Sequence, residues 1–172
     1  MNSIFETGAS TGLEDILLLF LAVSVIITDL SRHKIYNLQT YPVMAAGVLL
    51  HFWYAGYQGV LSCCLGLFTG FVLLLPFFFA GGVGAGDLKY LAAIGALKGW
   101  QFVLWAMFYT GLVGGVMAFS LIIWHGRFLE TMKNVWKIIR SPGKMDKKVE
   151  DPLYLPYGVA IAIGSFLAMV MI

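Results

Sequence analysis

The sequence predicts an all-α integral membrane protein: a bundle of six transmembrane helices plus one amphipathic helix on the cytoplasmic interface. Three observations carry this. Of 172 residues, 60% are hydrophobic and 12% charged, roughly half the charged content of an average soluble domain, and the mean hydropathy is +0.85. Apolar runs fall at about 13–28, 42–56, 60–80, 88–98, 101–124 and 153–172, and a helix needs about 20 such residues to cross the hydrocarbon core. Lys and Arg gather between the first and second runs and between the fifth and sixth. The length suits a single domain, residues 1–172, with the basic loop 126–151 included. A net charge of +2 gives no reason to expect nucleic acid.

Taken in order, the first run follows "MNSIFETGASTGLED", which lacks Lys and Arg. A secretory signal needs a positive start, so this helix is expected to remain in the mature chain. Arg32 and Lys34 follow it. The second run ends in His51, Phe52, Trp53 and Tyr54, which suit a membrane–water interface. The third, fifth and sixth runs are long enough to span. The fourth, 88–98, is short, and topology argues for it. With six crossings, both basic loops and the turn "GAGD" face the cytoplasm, as positive loops do. Without it, the most basic loop would lie outside.

Between the last two runs, "FLETMKNVWKIIR" (128–140) places Phe128, Leu129, Met132, Val135, Trp136 and Ile139 on one helical face. This pattern predicts a helix lying on the inner leaflet, as an anchor or as a substrate groove. The GxxxG spacings Gly66/Gly70, Gly95/Gly99 and Gly111/Gly115 read as helix packing. Cys63 and Cys64, adjacent in an apolar run, point about 100° apart on a helix and read as small fillers. His33, His51 and His125 are scattered, and no metal site is expected.

An ionisable residue at membrane depth is costly and marks function by default. Most acids here belong to the tail or to the loops. Asp29, in "TDLSRHKIYN", and Asp87, in "GAGDLKY", sit instead at the cytoplasmic ends of spans. Two carboxylates sharing one proton can activate water and protonate a carbonyl oxygen. Asp29 closes a helix and Asp87 opens one, so the helix dipoles favour Asp87 as the anion and Asp29 as the protonated partner. Gly81, Gly82, Gly84 and Gly86 permit φ > 0 and leave backbone room for an extended substrate. The plainer reading also stands: a short acid at a helix start is a common cap. The glycines fit neither GxGxxG nor a phosphate loop.

These residues resemble the type IV prepilin peptidases, GxGD aspartic proteases of the inner membrane. "GAGD" with Leu88-Lys89 is similar to that family's GxGDxK signature, "TDLSRHKIYN" to its first-aspartate motif, and "LPYGVAIAIG" (155–164) to its closing Pro-[Tyr/Phe]-Gly segment. The resemblance implies an inner-membrane, multi-pass endopeptidase with its active site facing the cytoplasm. Its partners would be the bilayer and prepilin-like precursors with a hydrophobic N-terminal helix. Asp29 and Asp87 would be catalytic, with Gly84, Gly86, Lys89, Asn37, Pro156 and Gly158 binding substrate or supporting the site. Larger members carry a cytoplasmic insertion with paired CxxC zinc ligands and also N-methylate their products. This chain lacks those ligands, so no cofactor or metal is implied, and it looks like the short, peptidase-only branch associated with tight-adherence pili, or like the related archaellin and archaeal pilin peptidases.

Tyr36 stands where the family usually has Pro, which puts the local turn in question. Lys89 could orient Asp87, attract an acidic group on the substrate, or snorkel to the interface. A different class of function, a small transporter or proton relay using Asp29 and Asp87, is the competing reading.

Overall fold

The structure, a computed structural model, describes residues 12–124 and 156–172, and these are helical apart from short turns. Four helices follow one another: α1 (Gly12–Arg32), α2 (Asn37–Phe79), α3 (Ala85–Trp124) and α4 (Tyr157–Met171). The chain divides into two compact units, one of Met1–Val113 with Pro156–Ile172 and one of Gly114–Leu155. All the packing below belongs to the first. The amphipathic segment 128–140 and the acidic tail 1–11 lie outside the described residues.

The two longest helices are each broken once, at glycine. Gly56 in α2 has φ 57° and ψ −137°, and Gly99 in α3 has φ 79° and ψ 175°. Only glycine takes such conformations without a steric penalty. The chain folds back at both points. In an unbroken helix, residues eight apart are about 12 Å apart along the axis. Yet a Cβ on Gly59 would run into the carbonyl oxygen of His51, and one on Gly95 would lie 3.0 Å from Val103 Cγ2. The limbs 37–55, 57–79, 85–98 and 100–124 correspond to four of the apolar runs, so the short run 88–98 is a helix in its own right.

That short limb is the centre of the unit. Leu88 and every residue from Tyr90 to Leu97 are buried, most with no exposed surface. Ala92, Ala93, Gly95 and Ala96 explain how, since small side chains admit neighbours at backbone distance. A Cβ on Gly66 would fall on the Gly95 carbonyl oxygen, while one on Gly47 or Gly70 would meet the oxygen of Ala96 or Leu91 at 2.5 Å. Two of the three GxxxG pairs therefore pack helix on helix. At Gly111 and Gly115 a Cβ would meet nothing within 4 Å among the described residues.

Helix α1 packs on α2 and α4 through a stripe of Leu18, Leu21, Ala22, Val25 and Asp29, spaced three or four apart as one helix face requires. Its outward face is equally apolar: Phe20 is 70% exposed. In α2, Trp53 is 85% exposed. By length and composition α2 and α3 could each cross a membrane, and α4 is a shorter apolar helix. At the start of α1, Asp15 pairs with the buried Lys98 just before the Gly99 break.

Candidate active site

Asp29 lies on the buried stripe of α1, one turn before the helix ends, and is almost fully buried. Its backbone carbonyl accepts the N–H of His33 at 3.0 Å. His33 has φ 52°, a left-handed residue that terminates the helix. The chain then turns through 34–36 into α2.

The turn into α2 is held by a residue that the sequence reading did not single out. The Gln39 side chain donates from Nε2 to the Ser24 carbonyl at 3.0 Å. Its Oε1 accepts the Tyr36 N–H at 3.1 Å and lies 3.3 Å from Thr28 Oγ1. The signal was present in the spacing, because Gln three residues after a helix cap is half of a capping box. Tyr36 contributes what a proline could not, an N–H donor, and its hydroxyl accepts from Arg32 at 3.2 Å. Its φ of −88° lies near the range a proline ring imposes. The turn keeps a proline-like backbone while gaining two hydrogen bonds.

Asp87 is the third residue of α3 and is buried. The Gly84 N–H donates to its Oδ2 at 3.0 Å, and its own N–H donates to the Gly84 carbonyl at 3.1 Å. This is a reciprocal helix cap with glycine in the first position. The capping reading of Asp87 is therefore correct, and it does not compete with a chemical one: Oδ2 holds the turn, leaving Oδ1 as the oxygen for other work. Asp29 and Asp87, 58 positions apart, interact electrostatically.

The conformational freedom of the glycine run is used at one position. Of the four glycines before Asp87, Gly81 alone has positive φ, at 77°. Gly86 serves by lacking volume, whereas Gly84 has room for a methyl group and acts through its N–H. A Cβ on Gly84 would sit 3.4 Å from Asp87 Oδ2, and one on Gly86 would sit 3.0 Å from Ile35 Cβ. The third motif joins the same place. Pro156 precedes α4, and Gly158 lies directly on the Asp29 carboxyl group, where a Cβ would come within 2.7 Å of Oδ2. Lys89 Nζ donates to Asn37 Oδ1 at 2.8 Å and lies 5.4 Å from the centre of the Tyr41 ring. All the residues singled out beforehand thus cluster where α1 ends and α2, α3 and α4 begin. Among the described residues no group of His, Cys, Asp and Glu could hold a metal ion.

An all-helical chain with two acidic side chains at converging helix ends, each flanked by glycine, is the class that fold and site define. The chain belongs to the type IV leader peptidase family, whose profile matches residues 16–119. That stretch contains Asp29, Asn37, Gly84, Gly86, Asp87 and Lys89 and stops short of Pro156 and Gly158. Among curated proteins it is similar to the prepilin leader peptidase/N-methyltransferases of Aeromonas salmonicida (strain A449) and Aeromonas hydrophila. Each is 29% identical over 115 residues, which is 63% of this chain and 39% of the relative. The protein of the same name from Bacillus subtilis (strain 168) is 30% identical over 130 residues, 74% of this chain and 42% of the relative. The chain therefore spans about two fifths of the length of these relatives. No solved structure matches it.

Proposed function

We propose that this chain is a membrane-embedded aspartic endopeptidase that removes the leader peptide from prepilin-like precursors. The observation that carries the proposal is that Asp29 and Asp87 lie at the same end of the helices, with Gly158 against the Asp29 carboxyl group and the Gly84 N–H donating to Asp87. In this reading the ionised carboxylate takes a proton from water as it attacks the scissile carbonyl, and the protonated partner donates to the carbonyl oxygen. A general acid–base mechanism of this kind needs one carboxyl group ionised and the other protonated. Asp87 is the anion at rest: it lies at the positive end of α3 and accepts the Gly84 N–H. In this assignment Asp29, at the negative end of α1, is the general acid. Gly84, Gly86, Pro156 and Gly158 keep the approach to the pair narrow and free of side chains, so that an extended peptide can reach it.

The bilayer enters the proposal through the outward faces. Phe20, Trp53 and their neighbours would be costly in water and cost nothing in lipid. Counting each limb on either side of Gly56 and Gly99 as a crossing gives six, in one peptidase domain. The turns carrying Arg32, Lys34 and the GAGD segment then face the cytoplasm of the inner membrane, as does the basic loop 126–151. The transporter reading is not favoured: a relay needs ionisable groups along a continuous path, while on α1 the buried face between Glu14 near its start and Asp29 near its end is apolar from Leu18 to Val25.

The test is co-expression with several prepilin-type precursors, followed by mass spectrometry of the precursor N-terminus. The shortened product is expected with the unaltered chain and absent with Asp29→Ala or Asp87→Ala. Precursors left uncut by the unaltered chain would sink the peptidase reading, and full cleavage by either variant would sink the pair.

A further inference from the structure

The two aspartates have work to do in this mechanism, but the lysine two residues later has none. A cation near the start of a helix opposes the helix dipole, so Lys89 is not explained by helix stability. Nor does it pair with Asp87. Its ammonium donates to Asn37 Oδ1 at 2.8 Å and faces the Tyr41 ring at 5.4 Å. Asn37 opens α2 and Tyr41 follows one turn later on the same face, so the ammonium lies along the first turn of α2.

A second contact runs beside the first. Gly86 is three residues before Lys89 and therefore on the same face of α3. It receives Ile35, whose Cβ would lie 3.0 Å from a Cβ at position 86. One face of the first turn of α3 is thus fastened to residues 35–41, and those residues continue directly from the end of α1 that carries Asp29. Asp87 projects about 100° around the helix from Gly86. Any rotation of this turn about its axis swings the Asp87 carboxylate relative to Asp29.

We propose that Lys89 and Asn37 form a clasp that fixes the rotation of the first turn of α3 against the α1–α2 turn. Both are positioning residues for the Asp29–Asp87 pair, and the inference rests on the reading of that pair as catalytic. Lys89 reaches the reaction through Asn37 and makes no contact with the scissile bond.

The experiment has a kinetic arm and a structural arm. With purified full chain and a prepilin-type precursor, Lys89→Met and Asn37→Ala each lower kcat by roughly 10- to 100-fold while KM stays within about threefold, the signature of a displaced catalytic group. The double variant is no worse than either single one, because both remove the same bond. Lys89→Arg retains most of the activity, since its guanidinium can also donate to Asn37. A lysine that binds substrate would instead raise KM and leave Asn37→Ala untouched, and that pattern overturns the clasp, as do additive losses.

The structural arm needs no activity. In a background of Cys63→Ala and Cys64→Ala, the pair Ile35→Cys and Gly86→Cys is oxidised and the disulfide yield measured. The yield falls when Lys89→Met or Asn37→Ala is added, and an unchanged yield overturns the clasp. If the unaltered chain cuts no precursor, the peptidase reading fails, and the clasp stands or falls on the crosslinking.

Discussion

Replacing Gly158 by alanine adds one methyl group at the most crowded point of the site. That methyl would lie 2.7 Å from Asp29 Oδ2, 3.0 Å from Asp29 Cγ and 3.1 Å from Val25 Cγ1. Ordinary contact begins at 3.4 Å, so the carboxyl group must retreat by about 0.7 Å or α4 must tilt away. Neither is easy, because Gly164 further along α4 already packs against the backbone of Thr110 and Val25 is fully buried. Overpacking a tight site costs about 1–3 kcal/mol, which a thermal melt of the purified chain reads as a lowered Tm. Catalysis should suffer more, because displacing a reacting group by about 1 Å costs on the order of 100-fold in rate.

The assay is kcat for precursor cleavage, with Gly111→Ala as the control, since nothing described lies within 4 Å of a Cβ there. The expected result is kcat down by roughly two orders of magnitude for Gly158→Ala and unchanged for Gly111→Ala. If Gly158→Ala cleaved at the original rate with an unaltered melt, Gly158 would not lie against Asp29, and the site geometry would be wrong.

Three further outcomes follow from the same contacts. Asp87→Asn keeps an oxygen for the Gly84 N–H, so its melting temperature stays close to the original, whereas Asp87→Ala loses the cap and about 1 kcal/mol; both abolish cleavage, so stability and activity separate. Gly66→Ala drives a methyl into the Gly95 carbonyl oxygen and destabilises by about 1–3 kcal/mol, seen as a lower midpoint in detergent-titrated unfolding while Gly115→Ala shows no change. Tyr36→Pro suits the backbone but removes the bonds to Gln39 and Arg32, costing roughly 1–2 kcal/mol, measurable by thermal melt, with cleavage retained.

Much of this molecule is written along the chain because the determining physics is local. A chain this apolar with so few charges must be helical wherever its backbone leaves water, since helices satisfy their own hydrogen bonds. Apolar runs, basic loops and the two acids at the ends of runs are properties of short windows. For that reason Asp29 and Asp87 stand out in the sequence, while the Pro156–Gly158 segment is marked only by its resemblance to the family's closing motif. The cap at Asp87 was legible for the same reason.

What the windows could not reveal is everything that depends on two distant segments meeting. The weakest run, 88–98, is the buried centre of its unit, because Gly47, Gly66 and Gly70 from α2 approach its backbone closely, and no property of the run itself states this. Gly56 and Gly99 look like any other membrane-helix glycine until their backbone angles show where the chain reverses. Gly86 was expected to leave room for substrate, and what lies against it, Ile35 of the α1–α2 turn, is visible only in the fold. Lys89 had three open roles by sequence. Its hydrogen bond to Asn37, 52 positions away, could not be read there, because the partner of a long flexible side chain is set only by what the fold brings within reach.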